Sequence, residues 1–274
     1  MAVALSALLS ASVPVPALPA AAGHLRIATW NMCGVEQWNC DGTGSHDPKV
    51  RALRDLAVAE GADVILLQEV CTRDVDSTRR ALGRGWDAAF RGYAHRSPDG
   101  RFTPIDCAAG RGRAGIAVLA SSPLTRVATV DAQQPEVGLH RGILCATVSE
   151  SGLRVCSAHL SLPGSDRAHP EWELRDDQLA ALAGAVGART VFGGDLNSTP
   201  PTATNPRSWI WPHQVFRRYL ECDQRGPAER TGRPTLATGD KVDYMFTDLP
   251  RTACSVRDTG ASDHLALIME VEAA

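Results

Sequence analysis

"GGDLNSTP", residues 193–200, decides how this chain is read. The run Thr190-Val191-Phe192 before it has the character of a buried strand, and two glycines then lead to Asp195 and Asn197, two positions apart. Alternate residues of an extended chain share a face. The strand therefore delivers a carboxylate and an amide side by side where it leaves the core. Such an ending is either a plain Asx turn closing onto "STPP" or the presentation of a site.

The surrounding sequence repeats the pattern. Segments 24–31 ("HLRIATWN"), 63–70 ("DVILLQEV"), 113–121, 140–148, 153–160, 189–197, 241–248 and 263–271 read as strands, with a shorter one over 252–258. Residues 47–61 ("DPKVRALRDLAVAEG") read as a helix with Asp47 as N-cap, Pro48 in its first turn and Gly61 as its stop. A second helix is expected over 166–186, with Leu174, Leu179, Leu182 and Val186 as its inward stripe. "GILCATVSESGLRVCSAHL" (142–160) predicts a hairpin turning at Glu150-Ser151, in a register that sets Cys145 opposite Cys156. Hairpins mixed with strand-helix-strand units predict an α/β domain with mixed sheets. The stretches 92–112 and 199–212 read as long loops rich in Gly, Pro and Arg.

Bulk properties narrow the class. The chain has 274 residues, enough for a sizeable core, and at 44% hydrophobic and 22% charged it is neither disordered nor fibrous. A formal charge of −3 excludes a strongly basic coat for nucleic acid and leaves room for a local basic groove. Of 28 basic side chains only Lys49 and Lys241 are lysines. Arginine is the better bidentate phosphate ligand, although a GC-rich genome gives the same bias. Residues 1–23 carry no charge, and "AAA" at 20–22 precedes Gly23, which predicts a secretory leader ahead of one domain over 24–274. Pro14, Pro16 and Pro19 argue against a membrane anchor there. Eight cysteines without a C-x-x-C pair predict disulfides in an exported protein rather than a zinc site. The expected pairs are Cys145 with Cys156, Cys33 with Cys40, Cys71 with Cys107, and Cys222 with Cys254.

Polar residues gather at strand ends. Asn31 closes the first strand, Glu69 the second and His159 the hairpin, while Asp195 and Asn197 close the quoted strand. Asp243 lies in the next, and Asp263-His264 opens the last. Singly, each has a modest explanation: a turn residue, a helix-start charge, a satisfied core histidine. Together, set in apolar sequence, they raise a cost, because a buried carboxylate is expensive unless it meets cations or donors. A shared metal ion resolves it. Asn, Glu and Asp oxygens suit a hard cation such as Mg²⁺, Mn²⁺ or Ca²⁺ rather than zinc, and such an ion neutralises phosphate oxygens during an in-line displacement.

"ATWNM", "LLQEV", "SAHLS", "GGDLNSTP", "DYMF" and "SDHLAL", in this order over about 25–271, resemble the endonuclease/exonuclease/phosphatase superfamily, whose best-known member is DNase I. The resemblance implies a four-layer α/β/β/α sandwich of two packed mixed β-sheets, with an active site at one rim. It implies Asn31, Glu69 and Asp263 as metal ligands, with Mg²⁺ as the expected ion. Asp195 would handle the attacking water, Asn197 would orient attacker and phosphate, and His264 would be the catalytic imidazole, oriented by Asp243. His159 would contact a phosphate oxygen, as would Arg141. The chain departs from the pattern in one place: "GRGRAGIAVL" (110–119) lacks the glutamate that supports the first histidine in DNase I-type members. His159 therefore needs another partner, and the arginines of "GRGR" are candidate phosphate ligands.

The expected function is a secreted, metal-dependent nuclease that acts as a monomer on a phosphodiester, without stable membrane insertion. A sphingomyelinase-like phosphoesterase is the alternative, and a non-catalytic binding module is a third reading. "WIWPHQVF" (209–216) offers Trp209 and Trp211 as lipid anchors, as stacking platforms or as loop packing.

Overall fold

Alternation along the strands separates two apolar surfaces on each sheet, and this builds the fold. A computed structural model describes residues 23–35, 38, 45–201, 211, 213–226 and 229–273. Among the described residues the order opens with β1 (Gly23–Asn31), α1 (His46–Val58), β2 (Val64–Cys71), α2 (Thr72–Leu82) and β3 (Asp87–Gly92). Two short strands, β4 (Ala94–Arg96) and β5 (Phe102–Pro104), precede β6 (Ala114–Ala120), β7 (Leu124–Val130), β8 (Gly138–His140), β9 (Gly142–Val148) and β10 (Arg154–His159). Then come α3 (Arg175–Ala185), β11 (Thr190–Asp195), α4 (His213–Arg218), β12 (Leu220–Glu221), β13 (Asp243–Thr247), β14 (Arg251–Arg257) and β15 (Ala266–Ala273).

Two six-stranded sheets result, ordered β14-β15-β1-β2-β6-β3 and β12-β13-β11-β10-β9-β7. Each has one parallel pair at its centre, β1 with β2 and β10 with β11, among antiparallel neighbours. Between the sheets lie Ile27, Leu66, Val118, Leu144, Val155, Val191, Met245 and Leu267. The opposite faces are covered by helices. Leu53 and Leu56 of α1 and Val75 of α2 pack with Ile65, Leu67 and Leu119, while Leu179 and Leu182 of α3 and Val215 of α4 pack with Ile143, Phe192 and Phe246. The layers are those of an α/β/β/α sandwich.

The two glycines of the opening motif have a steric reason. A Cβ at Gly193 would lie 1.8 Å from the Tyr244 carbonyl oxygen, and one at Gly194 would lie 2.0 Å from that of Ala158. Gly194 also has φ +134, a conformation that side chains rarely adopt. Only glycine lets β10 and β13 close on β11 just before Asp195.

Several expectations need correction. The helix expected over 166–186 starts only at Arg175. Residues before it are held by Asp166, whose carboxylate accepts the backbone N–H groups of Glu136, Val137, Ala168 and His169. The first helix is preceded by Ser45 rather than capped by Asp47, which sits in its first turn. The strand expected over 140–148 is interrupted at Arg141, because β8 pairs with β4 in a separate three-stranded sheet whereas β9 pairs with β10. The loop at 92–112 thus contains β4 and β5. The last strand starts at Ala266, so Asp263 and His264 lie on the loop before it. Trp211 is buried, donates to the Thr199 carbonyl and stacks edge-on against Tyr244, so it packs a loop rather than anchoring lipid or bases.

Disulfides join Cys71 to Cys107, Cys145 to Cys156 and Cys222 to Cys254. Residues 1–22 of the expected leader, Cys40 and Trp209 lie outside the described residues. Among the described residues no helix is long and apolar enough to cross a membrane. Replacing Gly194 by alanine is expected to cost about 2–4 kcal/mol through overpacking and backbone strain. Urea denaturation checks this, and a midpoint equal to that of the parent protein would contradict the close strand approach.

Candidate active site

A cleft of about 460 Å³ opens where the carboxyl ends of the two parallel strand pairs meet. Its walls include Glu69, Arg141, His159, Asp195, Asn197, Asp263 and His264, together with Trp38 and Leu162. Asn31 and Asp243 lie directly behind it and bond to members of this group. All nine residues singled out in the sequence therefore gather at one rim.

Sheet register explains much of this convergence. His159 is paired with Asp195 across β10 and β11, and Asp195 with Asp243 across β11 and β13. Glu69 arrives by a different device. Strict alternation along β2 would send it to the helix side with Ile65 and Leu67. A register shift between Leu67 and Val70, with Glu69 at φ +49, inserts one extra residue and turns its side chain toward the cleft. Val70 then packs on the helix side and Cys71 between the sheets, the reverse of an unbroken count. Asn197 also has a left-handed backbone, φ +49. With Cys33, which also lines the cleft and has φ +47, three non-glycine residues in a sparsely populated conformation at one rim mark where the fold accepts strain.

Asp195 is the hub. Its Oδ2 accepts from Asn31 Nδ2 at 2.9 Å and faces His159 Nε2 at 3.3 Å and His264 Nε2 at 3.9 Å. Its Oδ1 accepts the Asn197 N–H at 2.9 Å. Burial works to raise its pKa, but His159, His264 and Asn31 together hold it well below the usual carboxylate range. The two histidines differ. Burial, reinforced by Arg141, lowers His159 to about 4. Burial also opposes charge on His264, yet the Asp243 carboxylate, 2.9 Å from its Nδ1, with Asp195 and Asp263, raises it to about 10. At neutral pH one imidazole is neutral and the other charged.

Glu69 is pushed up to about 7, mainly by burial, with Arg141 opposing and Asp195 adding to the rise. A carboxylate in that range is half protonated in neutral solution, and a neighbouring dication would restore its charge. Glu69 and Asp263 line the cleft, and the Asn31 amide oxygen, which accepts the Cys33 N–H at 2.9 Å, lies behind it; these are oxygen donors of the kind that suits Mg²⁺ or a similar hard ion. Asp195, Asp243 and His264 also bring ligand atoms within 4.8 Å of one another. In that group His264 Nδ1 is already bound to Asp243, which makes it a proton couple more than a cage.

Arg141 lies between β8 and β9, is 7% exposed and has an Nε without a hydrogen-bond partner. Its guanidinium sits 5.9 Å from the Trp38 ring centre. An arginine so placed is a ready phosphate ligand. The "GRGR" arginines are not. Arg111, 2% exposed, forms a two-point ion pair with Asp74, and Arg113 points outward to Asp106.

Two supporting residues carried no sequence signal. Lys49, fully buried on α1, donates to the carbonyls of Met32 and Ala261 and so ties the loop after Asn31 to the loop before Asp263. Burial and then Arg111 lower its pKa to about 8. Ser262 reinforces the tie by donating to the Asn31 carbonyl at 2.8 Å. Tyr93, between β3 and β4, is the partner of His159, 2.7 Å from its Nδ1.

Known proteins share this architecture. An endonuclease/exonuclease/phosphatase from Beutenbergia cavernae is 22% identical, with a TM-score of 0.68 over 92% of this chain and 72% of that one. The 3′ phosphatase NExo from Neisseria, solved with a product DNA hairpin, is 14% identical, with a TM-score of 0.60 over 90% and 99%. An AP endonuclease from Archaeoglobus fulgidus is 15% identical, with a TM-score of 0.59 over 89% and 98%. No curated protein matches by sequence. These likenesses establish a DNase I-like fold. The family model "Endonuclease/Exonuclease/phosphatase family" matches residues 28–264, from β1 to the rim histidine His264, and the chain belongs to that family.

Proposed function

We propose that the protein is a secreted, metal-dependent phosphodiesterase whose substrate is nucleic acid, with residues 1–23 as an export leader and 24–274 as a single catalytic domain acting as a monomer. Membership of the family and the presence of nuclease and phosphatase structures among its neighbours support hydrolysis of phosphoesters. The observation that carries the reading is the hub at Asp195, an ionised carboxylate flanked by one neutral and one charged imidazole beside an arginine with a spare N–H. The disulfides among the described residues are consistent with an oxidising compartment.

A phosphodiester repels anionic nucleophiles, so its hydrolysis needs charge neutralisation, an oriented water and stabilisation of the leaving oxygen. Asn31, Glu69 and Asp263 would hold Mg²⁺, with Mn²⁺ or Ca²⁺ as alternatives, and the ion would neutralise phosphate oxygens. Arg141 and His159 bind the non-bridging oxygens. Asp195 and Asn197 fix the direction of the attacking water. His264, kept charged by Asp243, presents a proton-bearing Nε2 to the phosphate.

Asp195→Ala and His264→Ala are expected to keep the fold by circular dichroism and to lose at least about 100-fold in turnover; unchanged turnover in either would displace the centre. Purified protein is expected to cleave plasmid DNA or RNA faster than sphingomyelin or bis-p-nitrophenyl phosphate, to stop with chelator and to recover with Mg²⁺. All four substrates left intact in Mg²⁺ and Mn²⁺ would end the phosphodiesterase reading. Glu69 must shed a proton before it coordinates. Apparent Mg²⁺ affinity should therefore fall roughly tenfold per pH unit below about 7 and level off above it, as calorimetry across that range would show.

A further inference from the structure

His159 has two ring nitrogens and a single hydrogen when neutral, so its partners decide where that hydrogen sits. On one side Nδ1 is 2.7 Å from the Tyr93 hydroxyl. On the other, Nε2 is 3.3 Å from Asp195 Oδ2 and 4.0 Å from Glu69 Oε1. Both carboxylates accept and neither donates when ionised.

Tyr93 settles the choice. It is 2% exposed, and its ring lies edge-on to the His159 ring at 5.6 Å and tilted against Trp38 at 5.8 Å. Its hydroxyl oxygen already accepts the Glu69 backbone N–H at 3.2 Å. A phenol keeps its hydrogen in neutral solution, so the hydroxyl has one to donate. Among the described residues the one acceptor within reach of that hydrogen is His159 Nδ1. The reverse arrangement, with Nδ1 donating, would leave a buried hydroxyl hydrogen without an acceptor and point a lone pair of Nε2 at the Asp195 carboxylate. Each of those faults is costly for groups as deeply buried as Tyr93, His159 and Asp195.

We infer that Tyr93 is a positioning residue that locks His159 with its proton on Nε2, making it a hydrogen-bond donor that faces Asp195 Oδ2 at the cleft wall. The inference rests on the phosphodiesterase reading for the further step, in which this N–H is shared between Asp195 and a non-bridging oxygen of the bound substrate. The same hydroxyl also satisfies the amide of the bulged Glu69, so one side chain sets the orientation of two rim residues from opposite sheets. A carboxylate in the place of this phenol would instead draw the proton to Nδ1 and favour the charged ring. The phenol thus divides the labour between the imidazoles: His264 carries charge, and His159 carries direction.

The test is a long-range ¹H–¹⁵N spectrum of the full chain labelled with ¹⁵N-histidine, recorded without metal or substrate. His159 is expected to show a pyridine-like Nδ1 and a pyrrole-like Nε2. In Tyr93→Phe, which keeps the ring contacts and removes only the oxygen, the two tautomers should mix while the His264 signals stay in place. On the best-cleaved substrate Tyr93→Phe should lower kcat about tenfold with KM changed by less than about twofold. His159→Gln, which keeps an N–H donor and an acceptor for Tyr93, should retain at least about tenfold more activity than His159→Ala. A proton on Nδ1 in the parent protein, or a tautomer unchanged in Tyr93→Phe, would overturn the assignment. The spectrum is read without turnover, so it stands or falls separately from the phosphodiesterase reading.

Discussion

An ionised carboxylate at the closed rim of an apolar sandwich is the constraint on which this structure depends. Asp195 is 2% exposed, and a charge at that depth is tolerated only when nearly every lone pair is met. Asn31 reaches it from one sheet and His159 from the other, while the turn after β11 supplies the Asn197 amide. The two sheets therefore cannot slide against each other without exposing that charge to an unmatched surface. A polar layer beneath the rim repeats the tie: Gln68 of β2 donates to Ser157 of β10 at 3.0 Å, and Ser157 donates to the Leu67 carbonyl at 3.1 Å. Sheet packing and site geometry are one arrangement seen at two depths.

The same carboxylate separates the histidines. Two imidazoles within 4 Å of one anion might be expected to share its influence equally. They do not, because their surroundings differ. The Asp243 carboxylate behind His264 favours the charged ring, whereas burial, with Arg141 adding to it, favours the neutral ring at His159, where the neighbour behind is a phenol. Titratable groups driven apart by their surroundings are a recurring way to obtain distinct roles from like side chains.

Much of this was legible in the sequence because burial and chemistry left marks of fixed period. The strands β1, β2, β10, β11 and β13 are apolar runs with polar residues at or near one end, and the Cys145–Cys156 pairing of β9 with β10 followed from hairpin register. Elements without such marks escaped. The edge strand β7 is exposed along nearly its whole length and shows no alternation, while β4 and β5 are three residues each. In α2, "TRDVDSTRRAL" buries Asp74 and Thr78 where an apolar stripe would be sought, because Asp74 answers Arg111. The polar residues at strand ends are the side chains that meet at one rim. Their places in the sequence say nothing of how Glu69 turns inward, since a bulge is a property of the pairing of two strands and not of either alone. Tyr93 and Lys49 were hidden for a related reason: their partners are backbone atoms and a ring nitrogen brought close only by tertiary packing.

Lysine usage takes on a different meaning in the folded chain. Both lysines are buried: Lys49 beneath the rim loops, and Lys241 against Glu221 and Asp223. Every other cationic side chain that the sequence supplies, histidines aside, is arginine. The folded protein thus offers almost no ε-amine to acylating reagents, amine-directed cross-linkers or lysine-modifying enzymes. Its outer guanidinium charge is permanent at any pH a cell or its surroundings provide.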